Sequence, residues 1–264
     1  MKKFFENKVI LITGASSGLG KALAYEFAKN NANVILLARR FEIITEISKE
    51  LTLKYKKSLA VKCDVSKDED LESAVRETLE TFGKIDIVVA NAGFGFNGNF
   101  ENIKIEGYRK QFETNVFGVL RTIYATLSAL KKTKGVICII GSVNGAVSFS
   151  TGVSAYVMSK FAIRGLIPSL SLELAPYNIS VTHIMPGFMK TEFRKNKKEI
   201  ERKIGWLEMN PEQASKIILK AVKKKKNEIV ITNHGKIAIF IERYTPNLLK
   251  MLSRFFSKNK NGRT

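Results

Sequence analysis

Seven short apolar runs recur along the 264-residue chain, and stretches with helical periodicity separate them. The runs cover residues 8–13, 33–38, 58–63, 85–90, 135–141, 178–184 and 228–232. Strands that alternate with amphipathic helices predict a parallel sheet whose two faces are covered by helices in right-handed crossovers. We therefore expect an α/β fold in a single domain, because chains of this class and length commonly form one core.

A glycine-rich turn follows the first apolar run. The segment Thr13-Gly14-Ala15-Ser16-Ser17-Gly18-Leu19-Gly20 leads from a buried strand into a helical pattern. Glycines allow a sharp turn and a close approach to a pyrophosphate, while free amides and the helix dipole attract its charge. A tight turn without a ligand is the alternative. We expect dinucleotide binding at Gly14, Ser16, Ser17, Gly18, Leu19 and Gly20.

Tyr156 and Lys160 stand four residues apart, which places phenol and ammonium on one face of a helix. A tyrosine ordinarily loses its proton at about pH 10, and a fixed cation beside it favours the phenolate and lowers its pKa. The pair can therefore form a general acid or base. The same spacing is also common on amphipathic helices whose lysine is merely solvated.

Several motifs together resemble the short-chain dehydrogenase/reductase family along residues 8–232. They are Thr13-Gly14-x-x-x-Gly18-x-Gly20, Asn91-Ala92-Gly93, Asn115, Ser142, Tyr156-x-x-x-Lys160 and Pro186-Gly187. The resemblance implies a Rossmann-type, doubly wound sheet of seven parallel strands in the order 3-2-1-4-5-6-7. It also implies a nicotinamide dinucleotide across the carboxyl ends of the strands, where these motifs fall.

The resemblance assigns catalytic roles to four residues. It makes Tyr156 the general acid that protonates a carbonyl oxygen while hydride reaches the carbon, and the base in the reverse direction. Lys160 would lower the pKa of Tyr156 and hold the nicotinamide ribose, and Ser142 would hydrogen-bond the reacting oxygen. Asn115, in the helical run 108–131, would hold a water that links the lysine to solvent.

Other positions are implied as cofactor contacts, besides Tyr156 and Lys160. They are Asp64, Val65, Asn91, Ala92, Gly93, Pro186, Gly187 and Thr191. Asp64 and Val65 would border the adenine, and Asn91 with Gly93 would shape the ribose region. Turn chemistry alone is the alternative, since Asn and Gly routinely end strands. Thr191 would contact the nicotinamide carboxamide, or it could cap the following helix.

The end of the second apolar run indicates which cofactor is bound. An Asp or Glu about 20 residues beyond the glycines would bind the ribose 2′-hydroxyl of NAD, and Ala38-Arg39-Arg40 stands there instead. An arginine can form paired, charge-assisted hydrogen bonds to a 2′-phosphate. We expect NADP(H) in preference to NAD(H), with Arg39 as the main contact, because Arg40 could be a solvated residue at the helix start.

Loops predicted over the cofactor are rich in apolar side chains, which favours an apolar or lipid-like ketone or aldehyde, or its alcohol, as substrate. The side chains are Phe94, Phe96, Phe100, Val147, Phe149, Phe188, Phe193 and Trp206, although several could only pack the loops together. Segment 188–208 has the position of the family's mobile lid.

Two alternative functions remain open. The Lys/Arg residues of the lid could attract a phosphorylated or carrier-bound substrate, as in a 3-oxoacyl-carrier-type reductase. A non-catalytic NADP(H)-binding sensor or scaffold is the alternative of another class.

The chain has a formal net charge of +20, and residues 189–264 hold 20 Lys/Arg against 7 Asp/Glu. No nucleic-acid-binding motif accompanies this charge, so nucleic acid is not an expected partner. A solvated basic surface is one reading, and an acidic partner such as a membrane surface or an anionic carrier is the other. Residues 1–235 form the predicted Rossmann domain, and 236–264 form a basic extension.

Within that extension, the basic amphipathic pattern over 247–258 could dock on the body or a second subunit, or make peripheral membrane contact. The first apolar run begins by residue 8, and no stretch approaches about 18 uncharged apolar residues, so we expect no signal peptide or membrane span and a cytoplasmic protein. The resemblance implies a homodimer or homotetramer formed through the helices that contain Asn115 and Tyr156.

Cysteine and histidine usage adds little chemistry. Cys63 and Cys138 lie in or beside predicted strands and read as buried free thiols of a reducing compartment. His183 falls in a strand and His234 in a turn, and neither has a partner at ligand spacing. No metal site is predicted.

Overall fold

One parallel sheet organises the protein. The computed structural model describes residues 1–148, 151–191 and 207–247. The sheet has seven strands in the order β3-β2-β1-β4-β5-β6-β7, which confirms the predicted doubly wound topology. The strands are β1 Val9–Thr13, β2 Asn33–Ala38, β3 Ser58–Lys62, β4 Ile87–Ala90, β5 Val136–Ile140, β6 Ser180–Met185 and β7 Glu228–Val230.

Helices lie in the connections between strands, before β1 and after β7. They are α1 Lys2–Phe5, α2 Gly18–Lys29, α3 Phe41–Lys54, α4 Asp68–Phe82, α5 Ile105–Phe112, α6 Gly118–Thr133, α7 Ser154–Leu174, α8 Pro211–Lys223 and α9 Asn233–Tyr244. A π-helical turn, Glu113–Phe117, joins α5 to α6 and interrupts the helical run predicted over 108–131. None of the helices within the described ranges is both long and apolar enough to cross a membrane.

Alternate residues of β1 enter two separate apolar cores. Ile10 and Ile12 belong to the core that includes residues of α2, α3 and α8, and Val9 and Leu11 belong to the core that includes residues of α4, α6 and α7. Burial of each such side chain contributes roughly 1.5–3 kcal/mol. Because helices cover both faces, the strand is buried throughout, and its residues before Thr13 are all apolar and do not alternate with polar ones.

Three smaller expectations can be compared with the fold. Cys63 and Cys138 are buried free thiols as predicted, and burial raises the pKa of both thiols to about 12. His234 was expected in a turn but lies in the first turn of α9. Helix α9 also crosses the predicted boundary between residues 235 and 236, and most of the amphipathic pattern over 247–258 lies outside the described residues.

Candidate active site

The glycine-rich loop between β1 and α2 depends on glycine at specific positions. Gly14 and Gly18 have φ values of 66° and 53°, in the left-handed region that favours glycine. At Gly20, a Cβ atom would collide with the carbonyl oxygen of Gly14. Ser17 is the N-cap residue of α2, but its side chain makes no capping hydrogen bond. The amides at the start of α2 are therefore not capped by this side chain.

Thr13 and Asn91 join the loop after β1 to the loop after β4. Thr13 Oγ1 accepts hydrogen bonds from the backbone N–H groups of Asn91 and Ala92, both at 3.0 Å. Asn91 Nδ2 donates to the carbonyl oxygens of Thr13 and Gly14, at 2.9 and 3.2 Å. The predicted Gly14, Asn91 and Ala92 are therefore neighbours. Thr13 was not among the predicted site residues, although it stands in the quoted motif.

Asn115 lies in the π-helical turn and connects the loop after β4 to α7. Its Oδ1 accepts from Phe94 N–H at 3.0 Å, and its Nδ2 donates to Phe94 O at 3.0 Å and to Ser159 Oγ at 3.2 Å. Ser159 Oγ in turn donates to Tyr156 O at 2.7 Å. A Cβ atom at Gly93 would lie 3.1 Å from Asn115 Oδ1, so glycine keeps this contact uncrowded.

The side chain of Asn115 is thus committed to holding Phe94 and Ser159. Its predicted part in holding a water stays a prediction. One turn earlier, buried Gln111 donates to Phe94 O at 2.5 Å and accepts from Phe96 N–H at 2.6 Å. The side-chain amides of Gln111 and Asn115, four residues apart, therefore fix the loop after β4. Their i, i+4 spacing is the sequence signal for this shared role.

Tyr156, Ser142 and Lys160 come together beside the carboxyl end of β5. Ser142 follows β5, and its side chain hydrogen-bonds that of Tyr156 and accepts from Asn144 N–H at 3.1 Å. Lys160 is buried on α7, where its Nζ donates to Ile140 O at 3.0 Å and lies 5.8 Å from the centroid of the Tyr156 ring. The predicted catalytic group is therefore assembled from β5 and α7.

The pKa of Tyr156 differs from the expectation. Desolvation raises the pKa of this phenol above its usual value, and the hydrogen bond with Ser142 opposes the rise. Burial also lowers the pKa of Lys160 to about 8. The expected net lowering of the Tyr156 pKa is wrong for this structure, because desolvation is the larger influence and the hydrogen bond with Ser142, not Lys160, is what opposes it. At pH 7 the phenol is protonated and the ammonium is still mostly charged.

The two arginines after β2 are placed differently from expectation. The side chain of Arg39 is 75% exposed and its Nη1 lies 3.9 Å from Asp64 Oδ2. Arg40 lies over the glycine-rich loop, where Nη2 donates to Ser16 Oγ at 2.9 Å and to Ser17 Oγ at 2.7 Å. Arg40 is therefore not a freely solvated residue at the helix start.

Asp64 and Val65 follow β3 as predicted. Although burial raises the pKa of Asp64, hydrogen bonds from Ser66 together with the charges of Arg39 and Lys67 outweigh it and hold the pKa below its usual value. Val65 is buried, and a Cβ atom at Gly118 of α6 would lie 2.7 Å from Val65 Cγ2. The two residues thus border the site from the β3 side of the sheet.

The loop after β6 completes the edge of the site. Pro186 O accepts from Val143 N–H at 2.9 Å, which links this loop to the residue after Ser142. A Cβ atom at Gly18 would lie 3.3 Å from Thr191 Cβ, so Thr191 is beside the glycine-rich loop. The remainder of the predicted lid, 192–206, lies outside the described residues and includes Phe193 and Trp206.

An open cavity of about 660 Å³ lies along α7, and Tyr156 is not among the residues that line it. The residues that line it carry no charged side chain: Asn99, Phe100, Ser148, Thr151, Gly152, Ser154, Val157, Met158 and Phe161. Among the described residues of the predicted apolar lining, Phe100 alone borders this cavity, and Phe149, Phe193 and Trp206 lie outside the described residues. Val157, Met158 and Phe161 were missed because the sequence pattern of α7 does not show which face stays uncovered.

Comparisons with known proteins agree with this geometry. A family model described as short chain dehydrogenase matches residues 8–202. A 3-dehydrosphinganine reductase of Danio rerio is 33% identical over 225 residues, which cover 80% of this chain and 67% of that protein.

Two solved structures are similar over most of their length. An alcohol dehydrogenase from Thermococcus sibiricus, complexed with 5-hydroxy-NADP, is 30% identical with a TM-score of 0.78, over 86% of this chain and 97% of that chain. A 3-ketoacyl-(acyl-carrier-protein) reductase from Brucella melitensis, complexed with NADH, is 27% identical with a TM-score of 0.79, over the same shares of the two chains, 86% and 97%.

Proposed function

Because the chain belongs to the short-chain dehydrogenase/reductase family, we propose that it interconverts a ketone or aldehyde and its alcohol with NADP(H) as the hydride carrier. The observation that carries this proposal is the hydrogen-bonded pair of Ser142 and Tyr156 with Lys160 buried beside it. Such a group can both hold a carbonyl oxygen and supply its proton.

The residues around the glycine-rich loop fit a dinucleotide. Gly14 and Gly18 turn the backbone through the left-handed region, and Gly20 allows a contact that a Cβ atom would block. The loop backbone and the amides at the start of α2 could therefore bind an anionic group such as a pyrophosphate. Thr191 lies across the same loop and would contact the nicotinamide end. A bound nicotinamide supplies or accepts the hydride.

The cofactor preference rests on the basic residues after β2. The guanidinium of Arg40 lies against Ser16 and Ser17, so a 2′-phosphate beside the loop would meet one arginine and two hydroxyl groups. Arg39 stands next to it with most of its side chain in solvent. The complexes of the two similar structures contain different cofactors, 5-hydroxy-NADP and NADH, so the arginine pair of this chain is what supports NADP(H).

The proton chemistry follows from the environment of each side chain. A raised pKa keeps the Tyr156 phenol protonated at pH 7, as a general acid for carbonyl reduction requires. Ser142, which hydrogen-bonds Tyr156, would also donate to the carbonyl oxygen of the substrate and stabilise the charge that develops there. The Lys160 ammonium, held by the carbonyl oxygen of Ile140 at the end of β5, would favour the phenolate that forms once the proton has left.

An apolar or lipid-like substrate is supported by the apolar side chains of the loop after β4, such as Phe94 and Phe96. The cavity of about 660 Å³ along α7 has an uncharged lining, but Tyr156 is not part of it. A 3-oxoacyl group on a carrier is the second candidate, since the Brucella melitensis protein is named as such a reductase. The basic residues near the predicted lid would attract an acidic carrier.

Two surfaces bear on partners. Helix α9 exposes Ile237, Phe240 and Tyr244 next to Lys236 and Arg243, an arrangement that suits peripheral contact with an anionic membrane. Helices α6 and α7 expose large apolar side chains that a second copy of the chain would cover in a homodimer or homotetramer. They are Tyr124, Met158, Phe161 and Leu172.

The direct test is a panel of apolar ketones and aldehydes, with 3-oxoacyl thioesters included, assayed for oxidation of NADPH and of NADH. We expect turnover of apolar carbonyls with NADPH favoured. Arg40→Ala should weaken NADPH much more than NADH, with Arg39→Ala as the matched neighbour. Binding of NADPH without turnover of any carbonyl would support the sensor or scaffold instead, and equal losses for both cofactors would contradict the NADP(H) preference.

A further inference from the structure

The first turn of α9 packs behind two loops of the active site. Gly235 has no Cβ, and one built there would collide with Val143, the residue after Ser142. Val143 and Val147 form a small apolar cluster with residues of β7 and α9, separate from the two main cores. A helix distant in sequence thus supports the loop that carries Ser142.

His234 makes the corresponding contact with the loop after β6. Its Nε2 accepts a hydrogen bond from Phe188 N–H at 3.1 Å, and its ring stacks on that of Phe188 with centroids 5.1 Å apart and planes 18° from parallel. Gly187 lies so close that a Cβ atom there would overlap His234 Nε2 and Thr232 Oγ1. The N–H and the ring of Phe188, and Gly187 with its lack of a side chain, therefore all fit around the imidazole of His234.

The direction of this hydrogen bond fixes the state of the imidazole. Since Phe188 N–H is the donor, Nε2 carries no proton and the ring is the neutral tautomer protonated at Nδ1. Burial lowers the pKa of His234 below its usual value, so the ring remains neutral at pH 7. The acceptor is available under ordinary conditions.

The held segment leads directly to the cofactor loop. The backbone of Met209 binds the same segment. Its N–H donates to Phe188 O at 3.0 Å, and its carbonyl oxygen accepts from Lys190 N–H at 3.1 Å. Thr191, whose N–H donates to Met189 O at 3.0 Å, ends beside Gly18 of the glycine-rich loop. A displacement of Phe188 would be carried over three residues to Thr191.

We propose that His234 is a positioning residue that holds the loop from Pro186 to Thr191 against the glycine-rich loop and thereby sets the affinity for the dinucleotide. It takes no part in transfer of the proton or the hydride. The inference rests on the proposed function for the identity of the ligand, because Thr191 contributes to affinity only when a dinucleotide binds there. It differs from a packing role because a specific acceptor atom, and not only ring volume, is required.

Two substitutions separate the acceptor from the ring. His234→Phe keeps an aromatic ring for Phe188 and removes the acceptor, whereas His234→Gln keeps an amide oxygen as acceptor and removes the ring. Loss of one hydrogen bond to a partly buried N–H group costs about 0.5–1.5 kcal/mol of free energy. We expect His234→Phe to raise the Kd and KM for NADPH about three- to tenfold with kcat changed less than about twofold.

The matched measurements use the full-length protein. His234→Gln should recover most of the affinity, and Lys236→Ala, an exposed change in the same turn of α9, should leave Kd, KM and kcat as in the wild type. Binding is measured by titration of NADPH without substrate, and thermal unfolding of every variant shows that it is folded. If His234→Phe does not fold, the comparison of His234→Gln with wild type decides: a rise of tenfold or more in Kd for the Gln variant contradicts the acceptor role, and a smaller one supports it.

An unchanged Kd in His234→Phe would overturn the proposal, as would a fall in kcat with Kd unaffected. These outcomes are distinct from failure of the proposed function. If the wild-type protein bound no nicotinamide dinucleotide at all, the proposed function would be wrong and this inference would fall with it. Binding by wild type that is insensitive to both substitutions would defeat the role of His234 alone.

Discussion

Lys160 is a cation placed where burial opposes its charge. Its Nζ has one described acceptor, the carbonyl oxygen of Ile140, and loss of hydration lowers its pKa to about 8. A surface lysine would cost nothing in stability, but it could not be directed at the phenol of Tyr156. The residue therefore has the character of a functional group that the fold tolerates.

The protonation of Lys160 gives a pH dependence of stability. Below about pH 8 the lysine is charged in both the folded and unfolded protein, whereas between about 8 and the usual 10.5 only the unfolded protein holds the proton. Release of the proton on folding then favours the folded state as pH rises. The free energy of unfolding of wild type, minus that of Lys160→Met, should be constant below pH 8 and increase above it.

The check is denaturant unfolding of wild type and Lys160→Met at several pH values between 7 and about 10. The subtraction cancels the titration of every other lysine and tyrosine that the variant leaves unchanged. A difference that stays constant over the whole range would show that Lys160 is not desolvated as the structure indicates.

At this scale the sequence indicated residue types better than their contacts. The spacing of Tyr156 and Lys160 predicted a shared helix face, and the family resemblance added Ser142; the structure brings the three side chains together. The sequence favoured Arg39 over Arg40 as the main contact, but it could not show that Arg40 lies against Ser16 and Ser17, because that depends on how α3 starts. His234 gave no signal, since its partner Phe188 is 46 residues away in sequence.

The π-helical turn Glu113–Phe117 is the element that most affects the site. A wider turn inside a helical run changes the direction of its side chains, and such turns are frequent at functional sites. Here it presents Asn115 to Phe94 and Ser159 in a buried position. The sequence predicted one uninterrupted helical run because residue periodicity does not reveal a single extra residue per turn.

Asn115→Ala should destabilise the protein and the loop after β4. The substitution removes two hydrogen bonds to the partly buried backbone of Phe94 and one to Ser159, while Gln111 still donates to Phe94 O, and the three losses together cost about 2–4 kcal/mol. Denaturant unfolding measures the loss. Asn102→Ala, a change at an exposed asparagine of the same connection, should stay within about 0.5 kcal/mol of wild type. Equal stability of the two variants would contradict the role given to the π-helical turn.

At the scale of the whole molecule, charge and exposed apolar surface meet towards the C-terminal side of the chain. Residues 189–264 hold 20 Lys/Arg against 7 Asp/Glu, and α9 exposes Phe240, Tyr244 and Ile237. The sheet order was implied by the family resemblance that the motifs carry, and the structure has that order. What covers α9 could not be predicted, since it depends on surfaces beyond one chain.

We predict that the full chain sediments with anionic vesicles more than a chain that ends at Thr245, and that added salt weakens this binding. The apolar face of α9 should contribute, so Phe240→Asp should reduce sedimentation of the full chain as well. Vesicles of zwitterionic lipid are the control for charge. Identical partitioning of the full and shortened chains would exclude residues 246–264 as a membrane contact.

The most direct test of the catalytic assignment is Tyr156→Phe, which removes one oxygen from the hydrogen-bonded group of Ser142 and Tyr156. Turnover of the best carbonyl of the panel and binding of NADPH are measured on the same protein. We predict that binding is retained and that kcat falls by about 10²- to 10⁴-fold, because the general acid is lost. A variant that binds NADPH and turns over at the wild-type rate would contradict the assignment of Tyr156 as the proton donor.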